Sequence, residues 1–489
     1  MDRLRSLFRR GAPRPVAQPA ARGYFGAQIY RQGVSFITEL QSKDAEVRKD
    51  VAALRANARR LANDNPYMRR YLRTIGGQVV GPDGVVLQSQ FQTRKGAIRS
   101  SWAEAVESAW AEWGKKGTCT VCGRYSWTDV QRLWVRTAAL DGEVFVRVVR
   151  GARNPFGFAL QLLDADLLDH TLHRPAGRGL NAVVMGVEVD AWGRPVAYHF
   201  TDPADTAVTY PRGRKIRIPA SEILHGMDPE RVNQTRGVPW TAPVMYLLSM
   251  LGSYWEAEVA AARHEAERVG FLKGTPDAEG NPTSAEGAEH VIPSTALQYI
   301  GLPAGVDVVT PDLVHPGAAF AEFSKAMLKG IASGLGISYS ALASDLTEVS
   351  YSSIRQGAIE EREYYRELQR GLLIEGLADP VFGAWVEMAV LTGGLQVPAN
   401  AGLAQVAART WEPRGWDWVD PKNDTESKIA AIAAGLDTRT RVLAEKGQSF
   451  QDVVAKLAEE QQALADAGVT VTTQPAKTGP QAQGGANAA

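Results

Sequence analysis

The side chains in this sequence best suited to chemistry are few and dispersed. Cys119 and Cys122 form its one C-x-x-C pair. A tetrahedral zinc site needs four ligands, and no second C-x-x-C or H-x₃₋₅-H pair supplies the other two among the seven histidines. A redox C-x-x-C opens a helix after a strand. This one follows GKKG and precedes GRYSW, the composition of a loop. Asp164, Asp166 and Asp420, with a histidine such as His170 or His225, are the set that could hold a cation for metal-assisted hydrolysis. In a β-rich stretch, however, D-x-D reads first as turn chemistry. The sequence has no G-x₄-G-K-[ST], no G-x-G-x-x-G opening a helix and no G-x-S-x-G, so neither a phosphate cradle nor a nucleophile elbow is expected. The expectation is a protein without catalysis, cofactor or bound metal.

The elements that carry these residues follow from periodicity. The 489 residues are enough for more than one core. The 54 basic and 54 acidic side chains cancel. Gripping nucleic acid through its phosphates normally takes a basic excess, so any handling of DNA must be loose or rest on local placement of charge. Two cysteines do not staple a secreted fold, and the longest apolar run, Val244 to Trp255, is short of the ~20 residues that cross a bilayer. No secretory signal, no membrane and a reducing cytoplasm are expected. Residues 1–23 read as a flexible basic arm. A helix over 42–75 is broken at Asn65-Pro66, its second part ending at Gly76-Gly77. A strand follows in VVLQSQFQ, then a helix over Ser100–Trp113 with Trp102, Trp110 and Trp113 as core. From Gly142 to Phe200 the period is two, and strands alternate with Gly, Pro and Asp turns. No helices separate those strands, so a Rossmann unit is excluded and the class is α+β. Pro239 opens a rod of about thirty residues ending at Gly270, ~45 Å long and apolar all round in its first half. A compact insertion, a second helix from Gly317 to about Leu335, a Ser/Gly-rich interruption and a third long helix come next. A helical region from Asp424 to about Gly468 and a low-complexity tail close the chain.

Six stretches taken in order resemble the lambda-type family of tailed-phage portal proteins. They are RRLANDNPYMRRYLRTIGGQVVGPDGVVLQ; CGRYSWTDVQRLWVRTAALDGEVFVRVVR; LQLLDADLLD with GVEVDAWGRPVAYHF; IPASEILHGMDPERVNQTRGVPWTAPVM; GLGISYSALASDLTEVSYSSIRQGAIEEREYYRELQ; and WEPRGWDWVDPKND. The resemblance runs in order from about Ala45 to about Gly447. The resemblance implies a wing (24–238), a first stem helix (239–270), a clip (271–316), a second stem helix (317–335) and a tunnel loop (336–352). A spine helix and wing return (353–423), a crown (424–468) and a disordered tail (469–489) complete the plan.

It further implies a homo-oligomeric ring, twelve copies in the virion, at one capsid vertex and assembled in the bacterial host cytoplasm. Duplex DNA would pass through during packaging and ejection. The expected partners are the terminase large subunit, the major capsid and scaffold proteins, and head-completion and tail adaptor proteins. The tunnel-loop candidates are Ser338, Tyr339, Ser340, Ser344, Asp345, Thr347, Glu348 and Ser350, with Arg355 as the nearest cation. The loop has no Lys or Arg, so a duplex meets hydroxyls and weak repulsion instead of a trap. Arg263, His264, Arg268, Lys325 and Lys329 are the stem candidates for sparse basic rungs. The competing readings are a virion-associated metal-dependent hydrolase and another head–tail ring protein. The helix–insertion–helix arrangement of 239–335 discriminates against the latter.

Overall fold

The computed structural model describes residues 42–91, 100–177, 179–202, 213–266, 271–274, 306–309, 319–347, 351–398, 401–416, 421–444, 450–466 and 468. The basic arm, the tail and most of the insertion lie outside these residues.

The chain enters on α1 (Lys43–Asp64), capped by Ser42, and α2 (Pro66–Val80), whose N-cap Asn65 accepts from the Tyr67 and Met68 amides at 3.0 and 3.1 Å. Pro66 at the first helical position loses no hydrogen bond, so the N-P break is a junction between two helices. α2 does not stop at Gly76-Gly77 as expected. It runs on to Val80 and ends at Gly81, which takes φ 75°. Gly76 is inside the helix because the Arg136 stem packs on it; an added Cβ would meet Cγ at 2.8 Å.

Next come β1 (Val86–Ser89), α3 (Ser100–Trp113) and α4 (Trp127–Asp141), the last opened by a reciprocal Ser126/Asp129 capping box. β2 (Glu143–Arg150), β3 (Phe158–Leu163), β4 (Ala182–Val184), β5 (Val187–Val189), β6 (Pro195–Thr201), β7 (Lys215–Pro219) and β8 (Ile223–Met227) follow. They form two antiparallel sheets, of order β3-β2-β8 and β4-β5-β6-β7. Phe145, Leu163, Tyr198, Phe200 and Ile218 share a buried cluster drawn from both.

A short 3₁₀ turn (Ala242–Val244) precedes α5 (Met245–Ala266). The rod therefore begins later than Pro239: Pro243, inside the expected helix, sits in the tight turn that leads into it. Its first half is also not enclosed, for Met250 is 46% exposed while Leu248 and Leu251 are buried. β9 (Phe271–Gly274) pairs antiparallel with β10 (Val306–Val309), and α6 (Ala319–Gly334) returns against α5. α7 (Tyr339–Ala343) lies within the expected tunnel loop, and α8 (Tyr351–Leu368) starts before that loop was expected to end.

A π-helical stretch, Gln369–Ala378, joins α8 to α9 (Asp379–Leu391). α10 (Leu403–Val406) leads to β11 (Arg409–Glu412), which pairs with β1 and ties this return to the first lobe. α11 (Pro421–Ala433), α12 (Arg439–Ala444) and α13 (Phe450–Asp466) complete the described chain. The main core gathers Trp110, Trp113, Trp127, Phe382 and Trp385, with Trp110 stacked on Trp113 at 4.6 Å. Such pairs add ~0.5–1.5 kcal/mol each beyond their buried area, so the tryptophans of α3 are structural, as expected.

Candidate functional site

The segment following α6 is more ordered than its Ser/Gly-rich composition suggests. Ser338 is the N-cap of α7: its Oγ accepts from the Ala341 amide at 3.1 Å and lies 3.1 Å from Ser340 Oγ. The Ser338 amide donates to the Glu361 carboxylate on α8 at 2.5 Å. Ser344 closes the helix in the left-handed conformation, φ 59°. Asp345 then accepts from Thr347 Oγ1 at 2.6 Å, from the Thr347 amide at 3.0 Å and from the Tyr339 hydroxyl at 2.9 Å. Those bonds, with the charge of Lys325, pull its carboxyl down to about 2. From the far side Arg70 of α2 donates to the Ala341 carbonyl at 2.6 Å. The hydroxyls of this segment are therefore spent largely on fixing its own path.

The structure thus brings together Ser338, Tyr339, Ser340, Ser344, Asp345 and Thr347, and adds Lys325 from α6. Lys329, one turn further along the same helix, is exposed. Arg263 is exposed near the end of α5, on a different element from the loop. Glu348, Ser350 and Arg268 lie outside the described residues, as do the side chains of His264 and Arg355. α5 and α6 are joined by Trp255 Nε1 donating to Ser324 Oγ at 3.1 Å and by Tyr254 against Phe320 and Phe323.

Behind the α5 start lies an ion cluster that sequence reasoning missed. Glu143, fully buried at the head of β2, accepts from the guanidinium of Arg55, from Arg236 Nε at 2.8 Å, from the Gly237 amide at 2.9 Å and has His225 Nε2 at 3.1 Å. Burial alone would push that carboxyl up. The adjoining Arg236 and Arg55 charges overcome burial and hold it well below the ordinary carboxylate range. Arg59, one turn after Arg55, binds Asp141 through Nε at 2.7 Å, Asp164 at 2.8 Å and Asp166 at 2.6 Å. Bonding to Asp141 holds its guanidinium more firmly protonated than usual.

The cluster joins α1, the α4–β2 junction, the turn after β3 and the strap leading into α5. Gly142 (φ 87°) and Gly237 let two backbones touch: a Cβ on Gly237 would lie 2.0 Å from the Gly142 carbonyl oxygen. One signal for it was present in the sequence, since Arg55 falls on the apolar stripe of α1 with Val51, Leu54 and Ala58.

The candidate cation ligands are consumed here. Asp164 and Asp166 face guanidinium groups where a metal would have to sit, and His225 is turned to Glu143. His170 is half buried, and burial together with the nearby Arg236 and Arg55 charges lowers its pKa. Asp420 lies outside the described residues. Among those residues no three His, Cys, Asp or Glu side chains converge as a metal site. Cys119 is buried and donates to the Tyr125 carbonyl at 3.1 Å, and burial pushes its thiol up to about 12. Cys122 is exposed. The pair sits in a turn, as its flanks suggested. No helix among the described residues is long and apolar enough to cross a membrane.

Comparison with known proteins returns one family over most of the chain. Residues 30–369 match the model of "Phage portal protein, lambda family". The probable portal protein of Halomonas phage phiHAP-1 is 35% identical over 466 residues, covering 92% of this chain and 89% of the relative. Portal protein B of Escherichia phage lambda is 22% identical over 400 residues, covering 74% and 73%. Among solved structures, a chain in the neck of an empty GTA (gene transfer agent) particle covers 81% of this chain and 93% of its own, at 16% identity and a TM-score of 0.45.

Proposed function

This chain belongs to the lambda family of phage portal proteins, and from that membership we propose that its copies close into a ring at one capsid vertex, twelve in the virion, and form the channel through which DNA is packaged and ejected. The observation that carries the ring is the apolar surface of the paired helices. Met250 and Val259 on α5 and Phe323 on α6 are 46, 58 and 47% exposed in the single chain. Apolar side chains spaced along a helix pair this way are placed to pack on a neighbour, and a head-to-tail contact repeated around an axis closes a ring.

In this reading 24–238 is the wing, α5 and α6 are the stem, 271–316 is the clip, 336–352 lines the tunnel and the helices from 424 form the crown. The clip is the docking point for the terminase large subunit and later for head-completion and tail proteins. The wing meets the major capsid and scaffold proteins, and assembly takes place in the host cytoplasm. ATP hydrolysis belongs to the motor, in keeping with a sequence that carries no P-loop. The tunnel segment presents to a polyanion exposed Leu346 and the well-ionised Asp345, whose carboxylate takes up the Thr347 hydroxyl. Such a surface repels weakly and lets a duplex slide. Sequence between Ser338 and Asp345 is spent on caps that hold that surface in place.

Negative-stain microscopy with mass measurement of the full-length protein tests the assembly. Rings with a central channel and about a dozen subunits are expected. Met250→Asp with Val259→Asp should reduce them to smaller species. A wild-type protein that stays monomeric across a broad concentration range refutes the proposal.

A further inference from the structure

Helix α2 carries Arg69, Arg70 and Arg73 and no carboxylate among its 15 residues. Like charges four apart on a helix oppose folding by ~0.2–0.5 kcal/mol, so stability does not account for Arg69 and Arg73 sharing a face. That face borders a concavity of about 500 Å³ lined by Arg69, Arg70, Arg73, Gln78 and Arg414. A second, of about 360 Å³, shares Arg414 and is lined by Arg366, Lys428, Arg441 and Trp416, with Glu412 as its one carboxylate. The two make a strip whose cations come from α2, α8, the turn after β11, α11 and α12.

Its walls are built. Arg414 donates to the Gly77 carbonyl while its stem lies against Gly81, and Gln369 holds the Arg414 carbonyl at 3.1 Å. The Arg366 guanidinium lies 5.6 Å over the Trp416 ring, whose Nε1 donates to Gln78 at 2.7 Å. Arg366 also pairs with Glu363. Arg70 spends one N–H on Ala341 out of the five a guanidinium offers. Arg69, Arg73 and Arg441 are exposed, and none has a carboxylate partner among the described residues.

We propose that this strip is a seat for the phosphate backbone of duplex DNA. Guanidinium forks bind phosphates in a bidentate manner, and a duplex presents one charge per ~1.7 Å of axis. A strip with cations from five segments therefore meets several phosphates at once, whereas a single small anion would fill only one concavity. The zero net charge of the chain then conceals a separation: cations gathered on the strip, none in the 336–352 segment. The seat holds DNA, and the segment touching Arg70 lets it move. This inference rests on the DNA-channel reading for the presence of the duplex.

The test uses fluorescence anisotropy of a labelled 30-bp duplex with the full-length protein over a salt series, with ring formation checked by microscopy on the same preparations. Arg69→Gln with Arg73→Gln should lower the slope of log K against log salt by about two and weaken binding at least about tenfold at 0.1 M salt. Arg441→Gln, in the second concavity, should lower the slope by about one. Arg194→Gln, an exposed arginine elsewhere, should change neither. Wild-type affinity and slope in the double variant, with or without rings, overturn the seat, and loss of rings alone marks a subunit interface. If the double variant loses both rings and DNA, Arg441→Gln decides: an unchanged slope overturns the proposal. Displacement of the duplex by millimolar orthophosphate at constant ionic strength also overturns it, by showing a small-anion site. Wild-type protein that forms no rings yet shows the expected losses leaves the seat standing and removes the channel reading.

Discussion

Glu143→Gln probes the ion cluster most directly. The carboxylate is fully buried and serves two guanidinium groups, Arg55 at 1% and Arg236 at 0% side-chain exposure. The amide keeps the shape but removes the negative charge and turns an N–H₂ toward the guanidinium groups and the Gly237 amide, which only donate. Two buried cations are then left without their common anion. Breaking a buried pair this way costs ~3–5 kcal/mol, a large part of the ~5–15 kcal/mol that holds a domain together. At ~2–4 °C per kcal/mol for a lobe of this size, the transition of the lobe that holds Glu143 should fall by ~6–20 °C in calorimetry at pH 7.

The sign of the pH dependence follows from the lowered pKa. The folded value lies well below the ordinary glutamate value, so the contribution is complete above the unfolded pKa and drains away as pH falls toward the folded one. The gap between wild type and variant should therefore narrow steadily from pH 5 downward. A shift below 2 °C at neutral pH, or a gap that stays constant into acid, would refute the account of Glu143 as the anion that keeps two arginines buried.

Gly237→Ala places a methyl 2.0 Å from the Gly142 carbonyl oxygen and 2.4 Å from its carbon; it should abolish soluble wild-type-like protein, whereas Gly252→Ala, with nothing within 4 Å, should melt within about a degree of wild type by thermal scan. The two thiols should separate in a titration with Ellman's reagent. Cys122 should react in the native protein, while Cys119, buried and with its thiol pushed up to about 12, should react only after denaturant; equal native rates would contradict its place in the core.

Periodicity located most helices and strands because each had a strong local signal. Asn65-Pro66 marked the α1–α2 junction, and the period-two run from Gly142 to Phe200 gave β2 to β6, whereas α4, opened by its Ser126/Asp129 box, was not read from the sequence. The errors came where a distant contact outweighed local preference. Gly76 stays helical because Arg136 needs the space, and Pro243 delays α5 because the chain must first turn through the strap at Gly237. The ordered α7 was hidden by composition, since Ser338 caps it and Asp345 fixes its exit only once Glu361 and Tyr339 are beside them. Arg414 and Arg441 lie more than 300 residues from Arg69 and Arg73, and the β1–β11 pairing, with the Arg414–Gly77 and Trp416–Gln78 bonds, draws the turn carrying Arg414 back to α2. No spacing rule connects such positions. Glu143 lay within a quoted motif but was given no role, because its partners come from three separate segments, α1, β8 and the strap at Arg236-Gly237.

The ladder between Phe271–Gly274 and Val306–Val309 sets Val306 opposite Gly274 and Val309 opposite Phe271. The two ends of the intervening segment therefore leave the protein side by side, at a separation fixed by hydrogen bonds between strands. Whatever that segment contains, α5 and α6 see the same boundary. Lengthening a closed loop costs only ~0.6 kcal/mol per doubling, so its length and composition are free to drift without disturbing the helix pair. The ladder makes the insertion an exchangeable cassette, and a graft from a relative should be joined at Gly274 and Val306.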